Sequence, residues 1–248
     1  VTTAAALIIG DELLSGRVED TNTPLLARML CRLGVRLRSV TVLPDEEAVI
    51  ADALVRTIDN VDWVITSGGL GPTHDDCTIA AIARSFSVPV VRSPELERMI
   101  RTLWGERFTE AALRMADIPH GARLLYGNDG LLPLVAFASV YLLPGIPALF
   151  RAKLATVERE LHGTPQVNAV IRLVADESRL APVLAEAAAT YPAVKIGSYP
   201  SLDSDAFTLQ VTLESEDAVL VNHAVDWLLE GIPENQIVEL ERPDGAVR

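Results

Sequence analysis

The chain has 248 residues, 49% of them hydrophobic, enough to bury one or two proper cores. Its formal charge of −13, with no basic run to offset it, argues against a nucleic-acid or anionic-membrane partner, yet leaves room for a nucleotide held by a few local donors and a cation. Cys31 and Cys77 show no metal or disulfide spacing, no signal peptide precedes the first strand, and no apolar run is long enough to span a bilayer, so a cytoplasmic protein is expected.

Read along the chain, apolar strands alternate with amphipathic helices, the pattern of a mostly parallel sheet covered on both faces. Residues 4–9 form the first strand. Asp20 or Thr21 caps a helix with Leu25, Leu26, Met29, Leu30 and Leu33 inward, stopped by Gly34. Residues 37–43 return as strand, and Asp45, Glu46 and Glu47 begin the next helix. The run 61–66 is a buried strand, followed by a glycine-rich turn and a helix over 77–86. Residues 94–104 and 109–116 read as two helices of an excursion, 134–143 as two short strands or a hairpin, and 146–162 as a long helix. Gly163-Thr-Pro165 marks the boundary between a domain of residues 1–165 and a smaller one of 166–248. Beyond it the order β-α-β-β-α-β is the split βαβ pattern of ferredoxin-like domains, too common to indicate function by itself. The polar tail from residue 241 is expected to fray.

The segment Ser67-Gly-Gly-Leu-Gly-Pro-Thr-His-Asp-Asp76 carries the most information. By default such a stretch is a tight turn followed by helix capping. Three glycines within four residues, a proline and two acids, all directly behind a buried strand, point instead to an anion site. The glycines let a ligand approach the backbone. Two carboxylates repel a bare phosphate, so a divalent cation between them and it makes sense of the pair. The dinucleotide fingerprint lacks its third glycine, and no Walker-type loop, serine-hydrolase elbow or His-Glu-x-x-His exists in the chain.

These residues resemble the signature of the molybdopterin-binding fold shared by MoaB/Mog proteins and the N-terminal domain of CinA-type proteins. Ile8-Ile-Gly-Asp-Glu-Leu-Leu-Ser-Gly-Arg17 with Asp20-Thr-Asn22 resembles the opening of the CinA branch, and Val140-Tyr-Leu-Leu-Pro-Gly-Ile-Pro147 the strand that closes the same pocket. Ile196-Gly-Ser-Tyr-Pro200 is similar to a motif of the smaller second domain in CinA-like proteins. The resemblance implies a three-layer α/β/α domain followed by a small α+β domain, a dimer or trimer, and no C-terminal amidase activity.

In an open parallel sheet, ligands bind outside the carboxyl ends of the strands, where three loops should converge. Ligand contacts are expected from Gly10, Asp11, Ser15 and Arg17 in the first loop. The second contributes Thr66, Ser67, Gly68, Gly69, Gly71 and Thr73, and the third Pro144 and Gly145. Asp11, Glu12, Asp75 and Asp76 are the candidate ligands of Mg²⁺ or a similar cation, with Asp75, Asp76 and Glu12 catalytic. Asp11-Glu12 reads equally well as a helix-opening or surface-loop pair. His74 is a candidate phosphate contact or general acid, and Cys77, at a helix start, a candidate for a lowered thiol pKa, though a buried structural role suits it better. Trp104 reads as a packing residue and Tyr199 as a core or turn residue.

Three functions follow in order of preference. The first is metal-dependent hydrolysis of a nucleotide pyrophosphate such as ADP-ribose or FAD, which the resemblance implies for the CinA-like branch. The second is molybdopterin handling of the Mog type, from which Leu70 departs because that loop typically carries Thr there. The third is a non-catalytic module that binds a pterin or nucleotide. Nothing in the sequence selects the ring that is recognised.

Overall fold

The computed structural model describes residues 1–201 and 204–243. The chain divides into two compact units, Val1–Thr164 and Pro165–Arg248. The first is built from β1 (Thr3–Ile9), α1 (Asp11–Leu14), α2 (Asn22–Arg32), β2 (Arg36–Leu43), α3 (Glu47–Ile58), β3 (Trp63–Ser67) and α4 (Thr78–Ser85). The excursion follows, with β4 (Val90–Arg92), α5 (Pro94–Trp104), two 3₁₀ segments (Gly105–Arg107 and Glu110–Ala116) and β5 (Asp117–Pro119). Then come β6 (Arg123–Leu125), β7 (Leu134–Phe137), β8 (Val140–Leu143) and α6 (Pro147–Glu158).

Six strands form one sheet in the order β2-β1-β3-β8-β7-β6. The pairs β1/β2, β1/β3 and β3/β8 are parallel, while β7 joins β8 and β6 antiparallel. Alternation along β1 serves both faces of this sheet. Ala4, Ala6 and Ile8 pack with Leu26, Met29 and Leu30 of α2 and Phe150 of α6. Leu7 and Ile9 pack with Ile50 and Leu54 of α3 and Ile82 of α4. The excursion closes a third cluster around Leu96, Ile100, Ala112 and Ala116. Ser93 caps α5 by accepting the Leu96 amide, with Pro94 in the first turn where its missing N–H costs nothing.

The second unit runs β9 (Val167–Leu173), α7 (Glu177–Thr190), β10 (Lys195–Pro200), β11 (Leu209–Ser215), α8 (Ala218–Gly231) and β12 (Ile237–Glu241). Its antiparallel sheet has the order β10-β11-β9-β12, the split βαβ arrangement. Leu209, Val211 and Leu213 enter its core while Gln210, Thr212 and Glu214 between them do not.

Several expectations need correction. The helix read over 146–162 stops at Glu158, and the chain then leaves it through Gly163, where a Cβ would lie 2.4 Å from the Gly34 carbonyl oxygen. The helix read over 109–116 is a 3₁₀ segment. The short β4/β5 pair was not anticipated. Tyr199 is neither core nor turn but a strand residue, 51% exposed. Of the tail expected to fray, residues 244–248 lie outside the described residues. Phe150→Ala should cost about 3–5 kcal/mol, because the cavity it leaves lies where two helices meet the sheet. Urea denaturation followed by tryptophan fluorescence checks this.

Candidate functional site

Strands β1, β3 and β8 release their loops at one edge, and those loops meet backbone to backbone. Gly68 has φ +107°, in the left-handed region that glycine favours, and an ideal Cβ there would sit 2.1 Å from the Ile9 carbonyl oxygen. A Cβ on Gly145 would come within 3.2 Å of the Gly68 Cα. The Gly68 amide donates to the Leu143 carbonyl at 3.1 Å. Asn22, buried at the start of α2, ties the bundle together, donating from Nδ2 to the Gly145 carbonyl at 2.8 Å and to Ser67 Oγ at 3.1 Å. Its helix is capped by Asp20, whose carboxylate accepts the Asn22 and Thr23 amides, whereas Thr21 makes no capping bond. Thr66 and Ser67, expected as ligand contacts, are fully buried and support the loop from behind. Sequence reasoning does not single out the Asn22 side chain, although it ends the Asp20-Thr-Asn22 motif.

The glycine loop is shaped by its own side chains. Thr78 Oγ1 donates to the Gly68 carbonyl at 2.9 Å. Gly69 has φ +65°, and a Cβ there would meet Thr78 Oγ1 at 2.2 Å. Asp76 turns inward, accepting the Gly71 amide at 2.7 Å, the Thr73 amide at 2.8 Å and the Thr73 hydroxyl. Two amides and the hydroxyl expected to hold phosphate therefore hold a carboxylate of the same loop. The acids also do not open the helix: α4 starts at Thr78 with Cys77 as its cap and has no acid in its first turn. Asp75 faces solvent beside His74, whose side chain is 97% exposed with Nδ1 3.9 Å from the Asp75 carboxylate.

The first loop brings further acids. Asp11 and Glu12 do open a helix, the short α1. The Asp11 amide donates to Asp45 Oδ2 at 2.9 Å, so Asp45 binds this loop instead of starting α3. Burial pushes the Asp45 carboxyl above the usual carboxylate range; the Asp11 amide opposes this, while the charges of Asp11, Glu12 and Asp75 add to it. The charges of Asp11, Glu12 and Asp75 are each felt at Asp45. Glu12 folds back over Gly10, its Oε1 2.6 Å from where a Cβ would stand. Ser15 Oγ donates to the Glu12 carbonyl, and Arg17 is exposed. Burial, and then the charges of Asp45 and Glu47, raise the Cys77 thiol pKa, the opposite of the reactive-thiol reading.

Among the described residues no three His, Cys, Asp or Glu side chains form a ready metal cage. A hard cation of another kind, held by one or two carboxylates and arriving with phosphate oxygens and waters as Mg²⁺ does, needs no such cage.

Next to the loop opens a cavity of about 710 Å³. Gly69, Gly71, Asp76 and Pro144 contribute to one side of it. Its walls are apolar and come from the excursion (Leu103, Trp104, Met115) and from the segment before β7 (Leu131, Leu132, Pro133). Trp104 packs on the excursion core, as read from sequence, and lines the cavity as well. Lys153 of α6 lines it too, and its Nζ is 2.7 Å from Asp129 Oδ2 while Asp129 Oδ1 accepts the Leu131 amide. Burial opposes the Asp129 charge, but the Lys153 hydrogen bond and the Leu131 amide outweigh it and hold the pKa low. This pair fixes the loop that forms one wall.

Gly68→Ala and Gly69→Ala should each lower the melting temperature by several degrees, because each adds strain at a positive φ. Gly68→Ala should be the worse, since it meets backbone where Gly69→Ala meets the Thr78 side chain. Thermal denaturation by circular dichroism gives the order. Asp76→Asn should loosen the loop, because an amide group turned toward Gly71 or Thr73 sets donor against donor. Faster hydrogen exchange over residues 70–77 would report it.

Residues 5–163 match the family described as "Probable molybdopterin binding domain". Residues 165–241 match "FAD synthase, middle domain". The chain is 30% identical to a "Probable FAD synthase" of Caenorhabditis elegans over 92% of its own length, and spans only 49% of that relative. It is 34% identical to a protein of Pyrobaculum aerophilum, covering 90% of this chain and 92% of that one. Among solved structures, the protein CinA with unknown function from Thermoplasma acidophilum shares 30% identity at a TM-score of 0.59, over 64% of this chain and 98% of that one. No helix of the described residues is long and apolar enough to cross a membrane. The chain belongs to the molybdopterin-binding-domain family, in its CinA-like branch, and its remaining segment is similar to the middle domain of FAD synthases.

Proposed function

We propose that this chain binds a nucleotide pyrophosphate of the ADP-ribose or FAD type and hydrolyses it with the help of a divalent cation. The observation that carries this reading is the adjacency of two unlike surfaces. An apolar cavity of about 710 Å³ suits a flat ring, and it opens beside a loop of glycine, carboxylate and hydroxyl groups. A ring with a charged diphosphate needs both at once.

Asp75 and either Asp11 or Glu12 would hold the cation. When bound, it would neutralise the diphosphate and lower the pKa of an attacking water. The protein's own part is positioning. The cavity walls grip the ring, and the backbone-packed loops fix the edge on which the phosphates lie. Glu12, folded over Gly10, is the general base we assign to the attacking water. Asp76, bound to loop amides, gives the loop its shape, so its role is positioning unless a ligand frees it.

A second reading rests on the family match over residues 5–163: the same cavity would take molybdopterin, whose pterin also needs an apolar slot. Chemistry separates the two. The purified protein should release AMP from ADP-ribose or FAD with Mg²⁺, Mn²⁺ or Co²⁺, and chelation should abolish release. Asp75→Asn should lower turnover by roughly a hundredfold with an unchanged melting temperature, because this carboxylate is 58% exposed. Absence of AMP from every dinucleotide tested, together with tight molybdopterin binding, would favour the second reading instead.

A further inference from the structure

The charges lining the cavity do not balance. Five ionisable side chains face it: Asp76, Asp117, Arg107, Arg114 and Lys153. Lys153 is neutralised by Asp129. Asp117 is gripped by Arg92 through two hydrogen bonds, at 2.8 and 3.1 Å. Asp76 keeps its charge, but its oxygens are spent on the amides and hydroxyl of its own loop. What remains is Arg107 and Arg114, neither of which forms an ion pair among the described residues, although Arg114 lies near enough to Asp75 to help the Thr73 side chain hold its carboxyl below the usual range. Their neighbour Arg101, by contrast, is bound to Glu97 at 2.9 Å and stacks on Phe108 at 4.4 Å.

Arg114 is also aimed. Its Nη2 donates to the Asp76 backbone carbonyl at 3.4 Å, which holds the guanidinium beside the glycine loop. Arg107 ends the 3₁₀ turn next to Leu103 and Trp104, on the apolar wall. Both come from the excursion, and both are exposed at a low-dielectric surface that concentrates their field. The phosphate-binding role read from sequence for Arg17 finds no such setting, since Arg17 does not line the cavity.

We infer that Arg107 and Arg114 form an anion clamp for the pyrophosphate of a ring-bearing ligand, so that the excursion, more than the glycine loop, supplies the positive charge of the site. This rests on the nucleotide reading proposed above. Guanidinium groups suit the task because their planar donors match phosphate oxygens in pairs. The clamp also explains how a strongly acidic chain holds an anion while Asp76 occupies two amides of the glycine loop.

Calorimetric titration of the whole chain under chelation, so that nothing turns over, tests the clamp with inorganic pyrophosphate, FAD and riboflavin as probes. Arg107→Gln and Arg114→Gln should each weaken FAD and pyrophosphate about tenfold, as expected for losing a charge-assisted hydrogen bond, and leave riboflavin unchanged. Affinity of the unaltered chain for FAD should fall with salt, and the double variant should lose most of that dependence. Equal weakening of riboflavin and FAD, or pyrophosphate binding that neither variant alters, would overturn the clamp. Pyrophosphate bound through the arginines, with no AMP released from any dinucleotide once cation is restored, would uphold the clamp and sink the hydrolase.

Discussion

The site depends on the contact of three backbones at Gly68. Only a residue without a Cβ lets the end of β3 lie against the Ile9 carbonyl, and only Gly145 lets the loop after β8 close over it. Once these loops touch, one buried side chain suffices to lock them. Asn22 uses both amide hydrogens on Ser67 and Gly145, and its own oxygen has no partner among the described residues. Removing Asn22 would leave the Gly145 carbonyl and Ser67 Oγ without this donor and untie the loops from α2.

On that frame the glycine loop is an internally satisfied anion nest. Asp76 fills it, Thr78 pins its start and Asp75, near Thr73 and Arg114, stays largely exposed. The neighbouring loops carry Asp11, Glu12 and Asp45, and burial first, then the nearby carboxylates, raise the Asp45 pKa. Such a concentration of carboxylates favours cations, and it repels a free phosphate unless positive charge comes from another side. The excursion between β4 and β5 stands on that other side, with its own core and its two arginines at the cavity.

Much of this was legible in the sequence and some was not, for physical reasons. The parallel sheet could be read because its strands are short apolar runs separated by amphipathic helices, and β1 and β3 alternate between two cores. The converging loops could be read because ligand loops of such sheets lie at the carboxyl edge. Side-chain direction could not. Asp76 was taken as a ligand-facing acid, yet nothing local distinguishes that from an acid bound to the amides three and five residues before it. Thr66 sits beside the loop in sequence but faces the core. The cavity wall was also hidden, since Leu103, Trp104, Leu131 and Leu132 come from separate segments and each resembles an ordinary core residue. The 3₁₀ character of residues 110–116 escaped notice because its apolar spacing suits an α-helix as well.

A crystal structure of the complex with FAD or ADP-ribose and a divalent cation should show ring and diphosphate on adjoining surfaces of the first unit, the ring between Leu103, Trp104 and Leu131 and the pyrophosphate reaching Arg114 and the edge at Gly69–Gly71. A ring outside this cavity, or a pyrophosphate held at Arg17 and remote from the excursion, would contradict this reading.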